Sequence, residues 1–235
     1  MRPIDSPTSL PGWHMPWPGF TVDWRKAALL LVDLQNYGCN PTMGVAAMLL
    51  EKYPDIAGYY VPRLTRTVIP NAKRLQAAFR QAGLEVLYTR HGPLLADGRD
   101  MIARRRRRDS ESVTATNAPT LWSSGTIEHE IVAALAPLPD ELVIDKNTSG
   151  AFNSTGIDAL LRNMGIETLV IAGMATEMCV ETTARDAADR GWNVILVEDA
   201  CATFFEEHHR ASLSAMARVF AQVWSTEAVL QSLKG

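Results

Sequence analysis

Six short apolar segments, separated by longer stretches with helical periodicity, decide what this chain can fold into. They are AALLLVDL (27–34), EVLYT (85–89), ELVID (141–145), TLVIAG (168–173), WNVILVED (192–199) and AQVWS (221–225). An uninterrupted run such as AALLLV suits a parallel strand covered on both faces, since a solvated face would show polar alternation. Between the runs, Val68, Ala72, Leu75 and Phe79 share one helical stripe, closed by Gly83. Ile157, Leu160, Leu161 and Met164 form a second stripe, Val180 to Arg190 a third helix, and Leu213, Met216, Ala217 and Phe220 a fourth. Strands alternating with helices predict an α/β fold: three layers, α/β/α, around a six-stranded, mainly parallel, doubly wound sheet.

Residues 23–235 are read as one domain, preceded over residues 1–22 by an arm rich in proline that carries Trp13 and Trp17. With 47% hydrophobic residues, a chain of 235 can bury one sizeable core. A net charge of −3 offers no general attraction for nucleic acid or an anionic membrane. The apolar runs are too short to span a bilayer, and the first residues lack the pattern of a signal peptide. Three cysteines (Cys39, Cys179, Cys201) without CxxC spacing argue against a disulfide framework, so a cytoplasmic location is expected.

In doubly wound sheets, ligands bind beyond the carboxyl ends of the strands. Three chemistry-bearing residues fall there: Asp33 after the first run, Lys146 after the third and Cys179 past Gly173. A carboxylate at the end of an apolar strand needs a partner, and a lysine can supply one. A cysteine at the start of a helix, near an ammonium, is expected to ionise below its ordinary pKa and act as a nucleophile. Alone, Cys179 reads as a small buried hydrophobe, Asp33 as a cap and Lys146 as a surface charge. Their shared position at one sheet edge favours chemistry.

These residues, in order, carry a resemblance. The D-x-Q of Asp33 and Gln35, Lys146 ahead of TSGAF, the run GMATEMCV, the T-x-x-D-A after it and VEDAC resemble the isochorismatase-like cysteine hydrolases over about Ala27 to Ala202. The resemblance implies that Cys179 is the nucleophile, Asp33 the proton acceptor and donor, and Lys146 their electrostatic holder. It further implies a cis peptide at Met174–Ala175, with the N–H groups of Ala175 and Cys179 forming an oxyanion hole. Gln35, Tyr37, His91, Thr148, Phe152 and Glu177 are the expected substrate contacts. Gly38 stands where the family often has an aromatic residue, and Glu177 where Asn or Asp is usual.

The reaction implied is cysteine-dependent cleavage of a small amide, with no cofactor and an oligomeric protein, a dimer or tetramer. A nicotinamidase-type metal site would need an Asp and spaced histidines after the second strand, where only His91 stands, so no metal is expected. Isochorismatases that cleave a vinyl ether generally lack the cysteine. The pattern is therefore closer to the metal-free amidases of carbamoyl and ureido compounds, those acting on ureidoacrylate, biuret and N-carbamoylsarcosine. Nicotinamidase-like or other primary-amide hydrolysis, vinyl-ether hydrolysis and a non-enzymatic binding role are the alternatives. The run Arg104 to Arg108 reads either as a solvated face or as a source of one arginine for a substrate carboxylate.

Overall fold

The first apolar run becomes the middle of the sheet. The structure, a computed structural model, describes residues 18–117 and 119–234. Strands β1 (Ala27–Val32), β2 (Glu85–His91), β3 (Leu142–Lys146), β4 (Thr168–Met174), β5 (Asn193–Ala202) and β6 (Gln222–Trp224) lie in the order β3-β2-β1-β4-β5-β6. Every pairing is parallel. Helices α1 (Asn36–Cys39), α2 (Gly44–Lys52), α3 (Pro54–Arg63), α4 (Ile69–Gln81), α5 (Ala103–Thr116), α6 (Ile157–Asn163), α7 (Glu181–Asp189), α8 (Glu206–Val219) and α9 (Thr226–Ser232) complete the described chain.

Strand β1 supplies two cores at once because its side chains alternate. Leu29 and Leu31 join Ala72, Leu75 and Phe79 of α4 and Val229 of α9 on one face. Ala28, Leu30 and Val32 join Ile157 and Leu161 of α6, Ala184 of α7 and Leu213 of α8 on the other. All six β1 residues are buried, as an apolar run covered on both sides requires.

The region between β1 and β2 differs from the expected single helix. Helix α3 starts with Pro54 in its first turn, where a missing N–H costs nothing. Pro62 inside α3 cannot donate to the preceding turn, and the chain passes through a π-helical turn, Leu64–Val68, into α4. Among the described residues, no helix is long and apolar enough to cross a membrane. Residues 1–17 of the arm, with Trp13 and Trp17, lie outside the described residues. Its end lies against β6: Gln222 Nε2 donates to the carbonyl of Phe20 (2.9 Å), and Phe20 and Val22 pack on the core.

The winding reverses between β1 and β4, which opens a crevice at their carboxyl ends. At that point Gly173 (φ 138°) pairs with Val32 so closely that a Cβ would meet the Val32 carbonyl at 2.1 Å. Only glycine permits this approach.

Candidate active site

Immediately after β1, Asp33 takes a left-handed conformation (φ 53°), which aspartate tolerates better than most residues. Its N–H donates to the Thr89 carbonyl (3.1 Å), and its own carbonyl accepts from Gln35 N–H (2.8 Å). The side chain is thereby held between strands: Oδ1 accepts from the Thr89 hydroxyl (2.6 Å), and Oδ2 lies 2.8 Å from Lys146 Nζ. Lys146, the last residue of β3, is wholly buried. Its ammonium also donates to the carbonyls of Thr148 (3.1 Å) and Ser149 (2.9 Å), so three oxygens surround its three protons. The following loop is pinned to α7 by the T-x-x-D-A segment: Thr183 Oγ1 accepts from Ala151 N–H (3.1 Å) and Asp186 from Asn153 Nδ2 (2.8 Å).

Burial opposes both charges, and pairing overcomes it. For Asp33, Lys146, His91 and Thr89 outweigh desolvation and hold the carboxyl below its ordinary pKa. For Lys146, Asp33 and Cys179 outweigh desolvation and hold the ammonium above its ordinary value. At neutral pH the site contains a carboxylate and an ammonium.

Cys179 sits in a π-helical turn, Thr176–Val180, between β4 and α7. The peptide Met174–Ala175 that leads into this turn is cis. The Ala175 carbonyl accepts from the N–H groups of Met178 (3.0 Å) and Val180 (3.2 Å), which closes the turn beneath the thiol. The expected low-pKa thiolate requires correction. Burial pushes the Cys179 thiol up to about 12; Lys146 pulls it down, but the Asp33 carboxylate beside it opposes ionisation. The resting group is a thiol with a buried carboxylate within hydrogen-bonding reach.

Asp33, His91, Ala175 and Cys179 line one cavity of about 270 Å³. The family model described as the isochorismatase domain matches residues 27–228. The chain belongs to the isochorismatase family. It is 28% identical over 217 residues to the ureidoacrylate amidohydrolase of Acinetobacter baylyi, covering 89% of this chain and 84% of that protein. It is likewise 28% identical over 214 residues to nicotinamidase 3 of Arabidopsis thaliana, covering 90% of each. The crystal structure of a cysteine hydrolase from Pseudomonas syringae pv. phaseolicola superimposes with a TM-score of 0.76 at 26% identity, covering 94% of this chain and 99% of that one.

The other residues expected to touch substrate divide sharply in this isochorismatase-family hydrolase. Tyr37 and His91 line the cavity, and Tyr37 stacks on Trp122 with ring centroids 5.3 Å apart. Gln35 does not, because both ends of its amide are engaged by backbone: Oε1 accepts from His91 N–H (2.7 Å) and Nε2 donates to the His129 carbonyl (2.7 Å). It clamps the β1 turn to the end of β2. The Thr148 hydroxyl is used inside the lysine loop, on the Gly150 carbonyl and Ser154. Phe152 packs in the core beneath Arg190. Glu177 turns away to accept from the Thr203 hydroxyl (2.8 Å). None of these last four lines the cavity. Gly38 does; a Cβ there would meet Met174 Sδ at 2.8 Å, which explains why no aromatic side chain fits.

Several cavity residues carry no motif. Val45, Met48 and Leu49 come from α2, Phe204 and Phe205 from the segment after β5, and Arg105 and Arg108 from α5. Applying the strand-end rule to β5 would have found the two phenylalanines; α2 gave no comparable signal, and in α5 the arginine run offered a source of arginine without saying which members reach the cavity. Among the described residues, no cluster of three or more His, Cys, Asp or Glu could hold a metal ion.

The raised thiol pKa carries a direct test. Alkylation of Cys179 by iodoacetamide, followed on its own peptide by mass spectrometry, should accelerate roughly tenfold per pH unit from 7 to 10. A plateau reached near neutral pH would show a preformed thiolate instead.

Proposed function

We propose that this hydrolase is a cysteine-dependent amidohydrolase acting on a small carbamoyl or ureido compound. The observation that carries the reading is a buried carboxylate–ammonium pair whose carboxylate shares one cavity with the Cys179 thiol. Asp33 takes the thiol proton as the Cys179 sulfur attacks the carbonyl carbon, and the carbonyl electron pair moves onto oxygen. The N–H groups of Ala175 and Cys179 receive that oxyanion. As the C–N bond breaks, Asp33 returns the proton to the departing nitrogen, leaving the acyl group on sulfur. Water then loses a proton to Asp33, adds to that carbon and expels the sulfur, which regains its proton. Lys146 keeps Asp33 anionic before each proton abstraction and holds it in place.

His91 supports a substrate rich in N–H groups. Its Nδ1 lies 3.3 Å from the Lys146 carbonyl, which can only accept, so the ring proton belongs on Nδ1. Burial and the Lys146 charge lower its pKa to about 3, so the ring is neutral. The remaining lone pair, on Nε2, is buried and has no partner, in a residue that lines the cavity. A ureido or carboxamide nitrogen offers that lone pair a donor; a vinyl ether offers none. The likeness to the ureidoacrylate amidohydrolase agrees with this reading, and the likeness to nicotinamidase 3 keeps aromatic primary amides in the test. Ammonia release should be measured with N-carbamoyl amino acids, ureidoacrylate, nicotinamide and a simple aliphatic amide. Turnover confined to the carbamoyl and ureido members is expected, and exclusive turnover of nicotinamide would reverse the assignment.

A further inference from the structure

The cavity has a composition that small, wholly polar ureido compounds do not explain. Val45, Met48, Leu49, Met178, Phe204 and Phe205 make most of the cavity apolar. Two guanidiniums, Arg105 and Arg108, complete it. Standing three residues apart, they share one face of α5. Among the described residues neither arginine has an ion-pair partner; Arg105 makes one weak hydrogen bond, to the Ser149 hydroxyl (3.3 Å). The nearest acid on that helix, Asp109, is committed elsewhere: its Oδ1 accepts from Thr120 N–H (2.6 Å), the Thr120 hydroxyl (3.0 Å) and Leu121 N–H (3.2 Å). Those bonds fix Thr120 and Leu121, which also line the cavity. Among the described residues, the only carboxylate in the lining is Asp33, and Lys146 neutralises it. Arg105, half-buried, and Arg108, exposed, are thus cations of this cavity that no carboxylate among the described residues pairs.

We infer that Arg105 and Arg108 bind the carboxylate of a substrate whose amide end meets Cys179 and whose bulky apolar group packs on the apolar residues of the same cavity. This rests on the amidohydrolase reading and narrows it to carbamoyl compounds bearing both a carboxylate and a large apolar substituent, such as N-carbamoyl derivatives of hydrophobic amino acids. A guanidinium donates two parallel N–H bonds to a carboxylate, and the pairing is stronger at half-buried Arg105 than at exposed Arg108. The apolar wall discriminates by size: each methylene that fills it favours binding, while a small analogue leaves it wet.

Three substrates test the inference: N-carbamoylphenylalanine, N-carbamoylglycine and phenethylurea, which lacks the carboxylate. The parent should prefer the first. In Arg105→Ala and Arg108→Ala its KM should rise at least about tenfold with little change in kcat, while phenethylurea is unaffected. Binding of 3-phenylpropionate to Cys179→Ala by calorimetry needs no turnover, so it separates this subsite from the chemistry. Its loss in the triple variant with both arginines replaced is expected even if no amide tried is hydrolysed. Unchanged 3-phenylpropionate affinity, no detectable binding to Cys179→Ala, equal losses for the neutral urea, or a preference for N-carbamoylglycine would overturn the inference.

Discussion

Replacing Lys146 with alanine should destabilise the fold by about 3–5 kcal/mol, because it strands a carboxylate in a place that water does not reach. Asp33 and Lys146 are 2% and 0% exposed, so solvent cannot screen the loss. The Thr148 and Ser149 carbonyls lose their donor as well. The double variant Asp33→Asn with Lys146→Met carries no buried charge and should recover much of the deficit, although it cannot be active. The pH dependence has a definite sign. In the parent, Lys146 holds the Asp33 pKa below its unfolded value, so the pair's contribution is present above that value and lost as pH falls through the folded one. In Lys146→Ala the carboxyl pKa rises, protonation relieves the stranded charge, and the gap between variant and parent should narrow on acidification. Urea midpoints at a series of pH values measure this. A Lys146→Ala midpoint equal to that of the parent at pH 7 would mean that the ion pair does not hold the site together.

Cys179→Ala should lower amide turnover by about 10⁴-fold or more, with the fold retained, since the change removes one sulfur from a side chain at the cavity wall. Asp33→Asn should cost about 10²–10⁴-fold, the range for loss of a general base. Asparagine is the informative replacement because it also accepts the left-handed backbone at this position. Groups that act on one another do not lose activity additively, so Cys179→Ala combined with Asp33→Asn should be no slower than Cys179→Ala alone. Turnover by Cys179→Ala within tenfold of the parent would remove the covalent mechanism. A double variant far slower than either single one would mean that Asp33 works on something other than the thiol.

The strands were legible because burial on both faces forces continuous apolar runs, and the strand-end rule then located Asp33, Lys146 and Cys179. The state of the thiol was not legible. A helix start and an ammonium are visible in a sequence, but the depth of burial that raises the Cys179 pKa depends on packing from both halves of the sheet. Gln35, Thr148, Phe152 and Glu177 show the same limit from another side. Their motifs mark residues that build the site, and sequence order does not separate a clamp from a contact. The stretch between Gly38 and Tyr60 carries no amphipathic stripe that reads as a helix, since GVAAMLLEK is apolar on nearly every side and Pro54 interrupts it. It forms two helices instead, and α2 makes part of the chamber. In the arginine run, the mean composition of α5 points to solvent, while helical spacing turns two of its members toward the cavity.

The reversal of winding between β1 and β4 has a consequence for how the molecule comes into being. Asp33 and Lys146 issue from the half of the sheet that is made first, and Cys179 from the half made later. The close seam at Val32 and Gly173 joins the two. No fragment short of that junction brings sulfur and carboxylate together. A nascent polypeptide therefore stays chemically silent until most of it has been synthesised and the two halves have met, and competence arrives together with the finished architecture.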